Sequence, residues 1–209
     1  MQALLAFAAA LVSLRLAGAL RARGRIAWAG ALLAYAVACA AMAWGAAHGW
    51  DERVFRVYYL AGGLLVAPLL GVGSLLLARR AWAAPVGLVW TGLAVGVAIA
   101  MPVHGTFGDS VPAAQDHLDW APRGVAIAGN SLGTIAVVAV ALATCRRRPV
   151  GNALVLAGIA VAAIGSAVAG LGVAAASGFV LVAVVLLYLG AAPPRAGLVW
   201  GRSSRADAG

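Results

Sequence analysis

The chain has 209 residues, of which 64% are hydrophobic and only 10% are charged. A single core in a soluble domain of this length cannot bury so much apolar surface, so the composition excludes a soluble globular protein and indicates an integral membrane protein. The formal net charge of +9 would suggest nucleic acid in a soluble chain. Here short cytoplasmic loops in contact with anionic lipid account for it. The lipid bilayer is the expected partner, and nucleic-acid binding is not indicated.

The apolar stretches predict seven membrane-spanning helices, because each span of a bilayer requires roughly 20 helical residues. In chain order they are 1–20, 26–48, 57–78, 81–103, 124–145, 151–170 and 173–190. Only Gly170, Leu171 and Gly172 separate the last two, but one uninterrupted helix would be about twice the membrane thickness, so a hairpin is expected. The sequence therefore predicts one all-α transmembrane domain, 1–190, and a short basic tail, 191–209.

Charge predicts the orientation of these helices. All 15 basic residues are arginine, and most of them follow every second predicted helix: Arg21, Arg23 and Arg25; Arg79 and Arg80; Arg146, Arg147 and Arg148; Arg195, Arg202 and Arg205. The alternate boundaries carry five of the six acidic residues: Asp51, Glu52, Asp109, Asp116 and Asp119. Cytoplasmic loops are rich in arginine, so we expect the N-terminus outside and the C-terminus in the cytoplasm. The absence of lysine is typical of a GC-rich genome and favours a bacterial plasma membrane, the inner or cytoplasmic one.

The predicted membrane interior contains little ionisable chemistry. No carboxylate lies inside a predicted helix, so ion-coupled transport, which commonly uses an intramembrane Asp or Glu, loses much of its support. A retinal Schiff base requires a lysine, and the chain has none. No resemblance to a known family is evident.

Small residues spaced four apart predict close helix packing. The pairs are Gly92 and Gly96, Gly129 and Gly133, and Ser166 and Gly170. Such pairs let two helix backbones approach each other. Contact within one bundle is the simpler interpretation, while a second copy or another membrane protein remains an alternative, so the oligomeric state stays open.

The third predicted helix is the least regular. Gly62, Gly63 and Pro68 predict a kink near its middle. A broken helix is able to line a cavity, to which Tyr58 and Tyr59 and, from the fifth helix, Asn130, Ser131 and Thr134 would contribute. The alternative is that the helix bends around its neighbours and that an interhelical hydrogen bond satisfies Asn130. Trp90 lies inside the fourth helix, where its indole N–H needs a partner or a polar cavity.

The predicted outer loops hold most of the remaining polar residues. Between the fourth and fifth helices we expect a short helix, capped by Ser110 with Pro112 in its first turn, that covers the mouth of the bundle. Asp116 and Asp119 would face water. Trp120 would lie near the outer surface.

All three histidines, His48, His104 and His117, are predicted on that outer side. Together with Asp116 or Asp119 they suit zinc, and two histidines at helix ends would also suit haem. Their spacing matches no metal-binding signature, so solvated loop histidines are the alternative.

Three classes of function remain open. The first is recognition of a small ligand or partner through the outer cap, with the candidate residues Tyr58, Tyr59, Trp90, Asn130, Ser131, Asp116 and Trp120. The second is a membrane enzyme or redox component that uses a metal, haem or quinone. The third is a structural or assembly subunit of a membrane complex. The sequence favours the first only slightly.

Overall fold

The computed structural model describes residues 2–108, 110–170 and 176–191. This described part is all-helical, with 83% of its residues in helices. The elements are α1 (Gln2–Ala22), α2 (Ile26–His48), α3 (Glu52–Tyr58), a π-helical segment (Tyr59–Leu65), α4 (Val66–Leu77), α5 (Ala83–Ala100), α6 (Ala114–His117), α7 (Trp120–Ala143), α8 (Pro149–Gly170) and α9 (Ala176–Ala191).

Five helices of the described chain are long and apolar enough to cross a membrane: Ala3–Ala22, Ile26–His48, Glu52–Leu77, Ala83–Ala100 and Trp120–Ala143. This confirms the prediction of an all-α protein with helices compatible with a membrane. Helices α8 and α9 are also apolar, but their described apolar stretches, Pro149–Gly165 and Leu181–Gly190, are shorter than these five spans. The predicted turn at Leu171 and Gly172 lies outside the described residues. The count of seven spans stays a prediction.

The third span begins earlier than predicted because an acidic residue caps it. The Asp51 side chain accepts a hydrogen bond of 2.8 Å from the backbone N–H of Val54, which starts α3 at Glu52. The chain is then continuously helical through α3, the π segment and α4, from Glu52 to Leu77. We call this stretch the broken helix.

Pro68 disturbs the hydrogen bonding of the broken helix. It has no backbone N–H, so the carbonyl of Leu64, one turn earlier, loses its α-helical donor. The indole Nε1–H of Trp90, on α5, donates to this carbonyl at 2.8 Å. The side-chain amide of Asn130, on α7, donates to the neighbouring carbonyl of Gly63 at 3.0 Å. Two neighbouring helices therefore supply donors at the break.

Glycines bring α7 against the break. A Cβ atom on Gly133 would collide with the Ala67 carbonyl group, and one on Gly129 would collide with the Trp90 ring. The other described glycine pair behaves differently, because a Cβ on Gly92 or Gly96 would meet no heavy atom within 4 Å. The pair Ser166 and Gly170 lies outside the residues whose side chains are described.

The apolar core that surrounds Leu32 spans α1, α2, the broken helix, α7, α8 and α9. It includes Leu20, Leu32, Val66 and Leu187. Trp28 belongs to this core with only 3% exposure. Its ring fits over Gly73, where a Cβ atom would collide with it. Because glycine has no side chain at this position, the indole can pack in a buried site against α4.

The arginine-rich boundaries meet at one end of the bundle. Arg23 donates to the Tyr188 hydroxyl at 3.2 Å, and Arg148 donates to the Gly190 carbonyl at 3.4 Å. Burial lowers the pKa of the Arg25 guanidinium, and the nearby charges of Arg148 and Arg23 lower it further. The α1–α2 loop, the start of α8 and the end of α9 thus share what we call the arginine end.

The opposite end of the bundle contains the acidic boundary between α2 and α3, with Asp51 and Glu52. Arg56 pairs with Glu52 at 2.7 Å and also donates to the carbonyls of Ala98 and Ile99, at 2.8 and 3.2 Å. These two carbonyls belong to the last turn of α5, whose carbonyl groups lack helical donors. Arg56 therefore does more than form a surface ion pair, because it also links α3 to the end of α5 through hydrogen bonds.

The glycine contacts predict unequal effects of the same substitution. Gly133→Ala should destabilise the protein by about 1–3 kcal/mol, because the added methyl group collides with the backbone of the broken helix. Gly96→Ala is the matched control and should leave stability unchanged or raise it by up to about 1 kcal/mol. Denaturation in detergent, followed by circular dichroism, compares the two. Equal stabilities would contradict the packing of α7 on the break.

Candidate functional site: a capped cavity

A cavity of about 660 Å³ lies between α2, the broken helix, α7, α8 and α9. Residues 111–115 of the loop that precedes α6 and of α6 itself line its end away from the arginine end. This volume falls within the range of roughly 300–1,000 Å³ that is typical of small-molecule sites. The cavity is therefore the candidate functional site.

Two groups of polar side chains line the cavity. Tyr35 and Cys39 lie one turn apart on α2, and Tyr58 is on the adjacent broken helix. Asn130 and Thr134 lie one turn apart on α7. Residues four apart on a helix share one face, so each helix directs its pair toward the same space. A ligand in the cavity would contact both groups.

Three hydroxyl groups of the cavity remain available for a ligand. Thr91, which lies outside the cavity, donates its hydroxyl to the Gly87 carbonyl one turn earlier at 2.8 Å. Within the described chain, the hydroxyls of Tyr35, Tyr58 and Thr134 form no comparable hydrogen bond. A hydroxyl that loses water without a partner is costly, so these groups favour a ligand with polar atoms.

The residues that close the cavity are held by a short contact between the two ends of their loop. Val103 and Leu118 form an isolated antiparallel bridge, and the backbone N–H of His104 donates to the His117 carbonyl at 2.9 Å. We call residues 111–115 the cap. The predicted short helix in this loop is present as α6, but its predicted start and its cap at Ser110 are wrong, because Ala113 is still extended and α6 begins only at Ala114, without a side-chain cap.

His117 contacts both the loop that carries the cap and the lining of the cavity. Its Nδ1 lies 2.8 Å from the His104 carbonyl, and because a carbonyl only accepts, Nδ1–H is the donor. Its ring stacks on Phe107 at 4.5 Å and lies 5.5 Å from Phe55, a cavity residue. His117 is 8% exposed. These contacts give the histidine a structural role at the base of the cap.

The other two histidines have separate partners. His104 donates through Nε2 to Asp119 at 3.3 Å, and both side chains are exposed. His48 stacks on Trp44 at 4.3 Å. The described residues contain no group of three or more His, Cys, Asp or Glu side chains that could hold a metal ion. The geometry does not bring His48, His104 and His117 together, so it adds no support to a zinc or haem site.

Three of the seven candidate ligand-binding residues line the cavity: Tyr58, Tyr59 and Asn130. The Tyr59 hydroxyl donates to the Pro122 carbonyl at 3.3 Å, which ties the broken helix to the first turn of α7. Asn130 uses one amide N–H on the Gly63 carbonyl and keeps its second amide N–H as a donor and its side-chain oxygen as an acceptor. Tyr58 is the one of these three whose polar group has no such bond within the described chain.

The remaining four candidates lie away from the cavity lining. Trp90 donates to the Leu64 carbonyl and packs on Gly129, so it supports the break. Ser131 and Asp116 are exposed, and Trp120 is 70% exposed at the start of α7. The structure therefore separates the candidates into cavity, supporting and surface positions.

Two polar cavity residues on α2, Tyr35 and Cys39, are not among the candidates predicted from the sequence. A signal was present, because Tyr35, Cys39 and Met42 recur on one helix face among many alanines, and all three line the cavity. Nothing in that pattern indicates which other helix the face meets.

Comparison of the chain with protein-family models, with curated proteins and with solved structures finds no match in any of the three.

Proposed function

We propose that this protein binds a small molecule in the capped cavity as a multi-pass membrane protein. The observation that carries the proposal is a cavity of about 660 Å³ whose lining combines apolar side chains with hydroxyls that lack partners in the described chain. A few convergent polar groups in a mostly apolar site fix a ligand's orientation, while the apolar surface supplies affinity. Recognition or sensing fits this site better than catalysis, because the described part of the lining brings no catalytic acid–base pair together.

The proposal includes seven spans in a bacterial plasma membrane, with the N-terminus outside and the C-terminus in the cytoplasm. Arginine-rich loops favour the cytoplasm, and Arg23, Arg25 and Arg148 share one end of the bundle. The contact between Arg148 and Gly190 supports a returning hairpin of α8 and α9, which supplies the sixth and seventh spans. The cap then faces outward.

A role as an assembly subunit is the second candidate. The observation that favours it is the open face of α5, where Gly92 and Gly96 meet no described neighbour and Leu88 and Ile99 are more than 70% exposed. Lipid or a partner helix would cover such a face. This role is compatible with a ligand in the cavity.

The two cysteines offer a test of the orientation. Cys145 is exposed beside Arg146, whereas Cys39 is buried. A membrane-impermeant thiol reagent should therefore leave Cys145 unlabelled in intact cells and label it in inside-out vesicles. Cys39→Ala is the control and should label identically. In a variant without the native cysteines, Asp116→Cys, next to the cap, should show the opposite pattern. Labelling of Cys145 in intact cells would reverse the proposed orientation.

Filling the cavity should remove the bound molecule. Ala162 lines the cavity, and Ala162→Phe would place a ring in it. Ile164 lies on the same helix with 51% exposure, so Ile164→Phe is the matched control. Native mass spectrometry of gently solubilised protein should find a non-covalently bound small molecule on the wild type and on Ile164→Phe, and at least about tenfold less on Ala162→Phe.

The alternative outcomes of this experiment are distinct. Equal occupancy of folded Ala162→Phe and wild-type protein would contradict binding in the cavity. A wild-type protein without any bound molecule would contradict the proposal and leave assembly as the candidate.

A further inference from the structure

We infer that the ligand of the capped cavity is an uncharged, elongated, lipid-like molecule whose polar group accepts hydrogen bonds from Tyr35 and Tyr58. This inference rests on the proposed function, because it names the class of molecule that the same site takes. Three properties of the cavity carry it: the absence of charge in its described lining, its length, and the location of its free hydroxyls.

The described lining of the cavity contains no charged side chain. A carboxylate, phosphate or ammonium group in this space would lose water and gain no counter-ion. Burial of an isolated charge in an apolar environment is strongly unfavourable, and ionisable groups within membranes are found paired or in contact with water. An uncharged molecule carries no such penalty. The lining therefore selects against ionised ligands.

The cavity is long and mostly apolar. Phe55 near the cap and Leu70 toward the arginine end both line it, and they are separated by roughly 20 Å along the broken helix at about 1.5 Å per residue. Gly62 lets the broken helix pack closely on α2 along this lining, because a Cβ atom there would lie only 3.3 Å from the Cβ of Ala38. A molecule with an extended hydrocarbon chain matches this length and this lining.

The available hydrogen-bond donors mark where the polar group binds. The Tyr35 and Tyr58 side chains line the cavity from adjacent helices, and Cys39 lines it one turn from Tyr35 on α2. On α7, Asn130 uses one of its two amide N–H groups on the Gly63 carbonyl, and Thr134 adds a hydroxyl one turn away. The tyrosine hydroxyls supply two donors from adjacent helices, and a carbonyl or hydroxyl oxygen is the group that they would bind.

Oleamide and oleate provide a matched pair of probes, because they share one hydrocarbon chain and differ in the charge of a similarly shaped head group. Binding to the purified full-length protein in a non-ionic detergent, at a pH where oleate is ionised, is measured by displacement of the co-purified molecule in native mass spectrometry. We expect oleamide to bind at least about tenfold more tightly than oleate.

The tyrosine hydroxyls are tested by Tyr35→Phe and Tyr58→Phe, which keep the rings and remove one donor each. Each variant should weaken oleamide binding by roughly threefold to tenfold, the typical effect of one hydrogen bond. Tyr188→Phe is the control, because the Tyr188 hydroxyl accepts from Arg23 at the arginine end and is absent from the cavity lining. Its oleamide affinity should equal that of the wild type.

The results separate this inference from the proposed function. Equal or tighter binding of oleate, or unchanged oleamide binding in both tyrosine variants, would overturn the ligand class even if Ala162→Phe still empties the cavity. Failure of both probes to bind folded protein would overturn it as well. Oleamide binding that persists in Ala162→Phe would instead place the molecule elsewhere and overturn the proposed function.

Discussion

The missing N–H of Pro68 is the constraint on which the rest of the structure depends. A carbonyl that loses its helical donor inside a bilayer finds no water to replace it, so protein groups must satisfy it. Trp90 binds the Leu64 carbonyl and Asn130 binds the adjacent Gly63 carbonyl. Because the two donors come from α5 and α7, the break determines where both helices lie. The π segment before Pro68 is the local adjustment of the helix to the same constraint.

The arrangement at the break places the cavity where α2 and α7 both pack on the broken helix. Gly133 brings α7 into backbone contact with Ala67, and Gly62 packs closely against Ala38 of α2. The cap covers the end of this space, held by the contacts of His117 with its loop and with Phe55. The break, the glycines and the cap thus form one connected system, in which the helix defect positions the tyrosines that we propose bind the ligand.

The positions of most long helices can be predicted from the sequence, because the thickness of a bilayer requires long apolar segments. Five such helices are confirmed. The sequence also indicated an irregular third span and a need for a partner at Trp90. It did not indicate the partner, because the Leu64 carbonyl becomes available only through Pro68, distant from Trp90 in the chain. Gly92 with Gly96 and Gly129 with Gly133 have the same spacing, yet only the second pair contacts a neighbour. Spacing defines a helix face, and tertiary packing decides what that face meets.

A double-mutant cycle between Trp90 and Pro68 tests the central claim most directly. Trp90→Phe should destabilise the protein by about 1–3 kcal/mol, because the Leu64 carbonyl loses its donor. In a Pro68→Ala background the backbone at position 68 regains an N–H for the same carbonyl, so the cost of Trp90→Phe should fall to that of the packing change alone. Unfolding in detergent of the four proteins gives the coupling energy. An equal cost of Trp90→Phe in both backgrounds would contradict the account, because the indole would then not replace the donor that Pro68 removes.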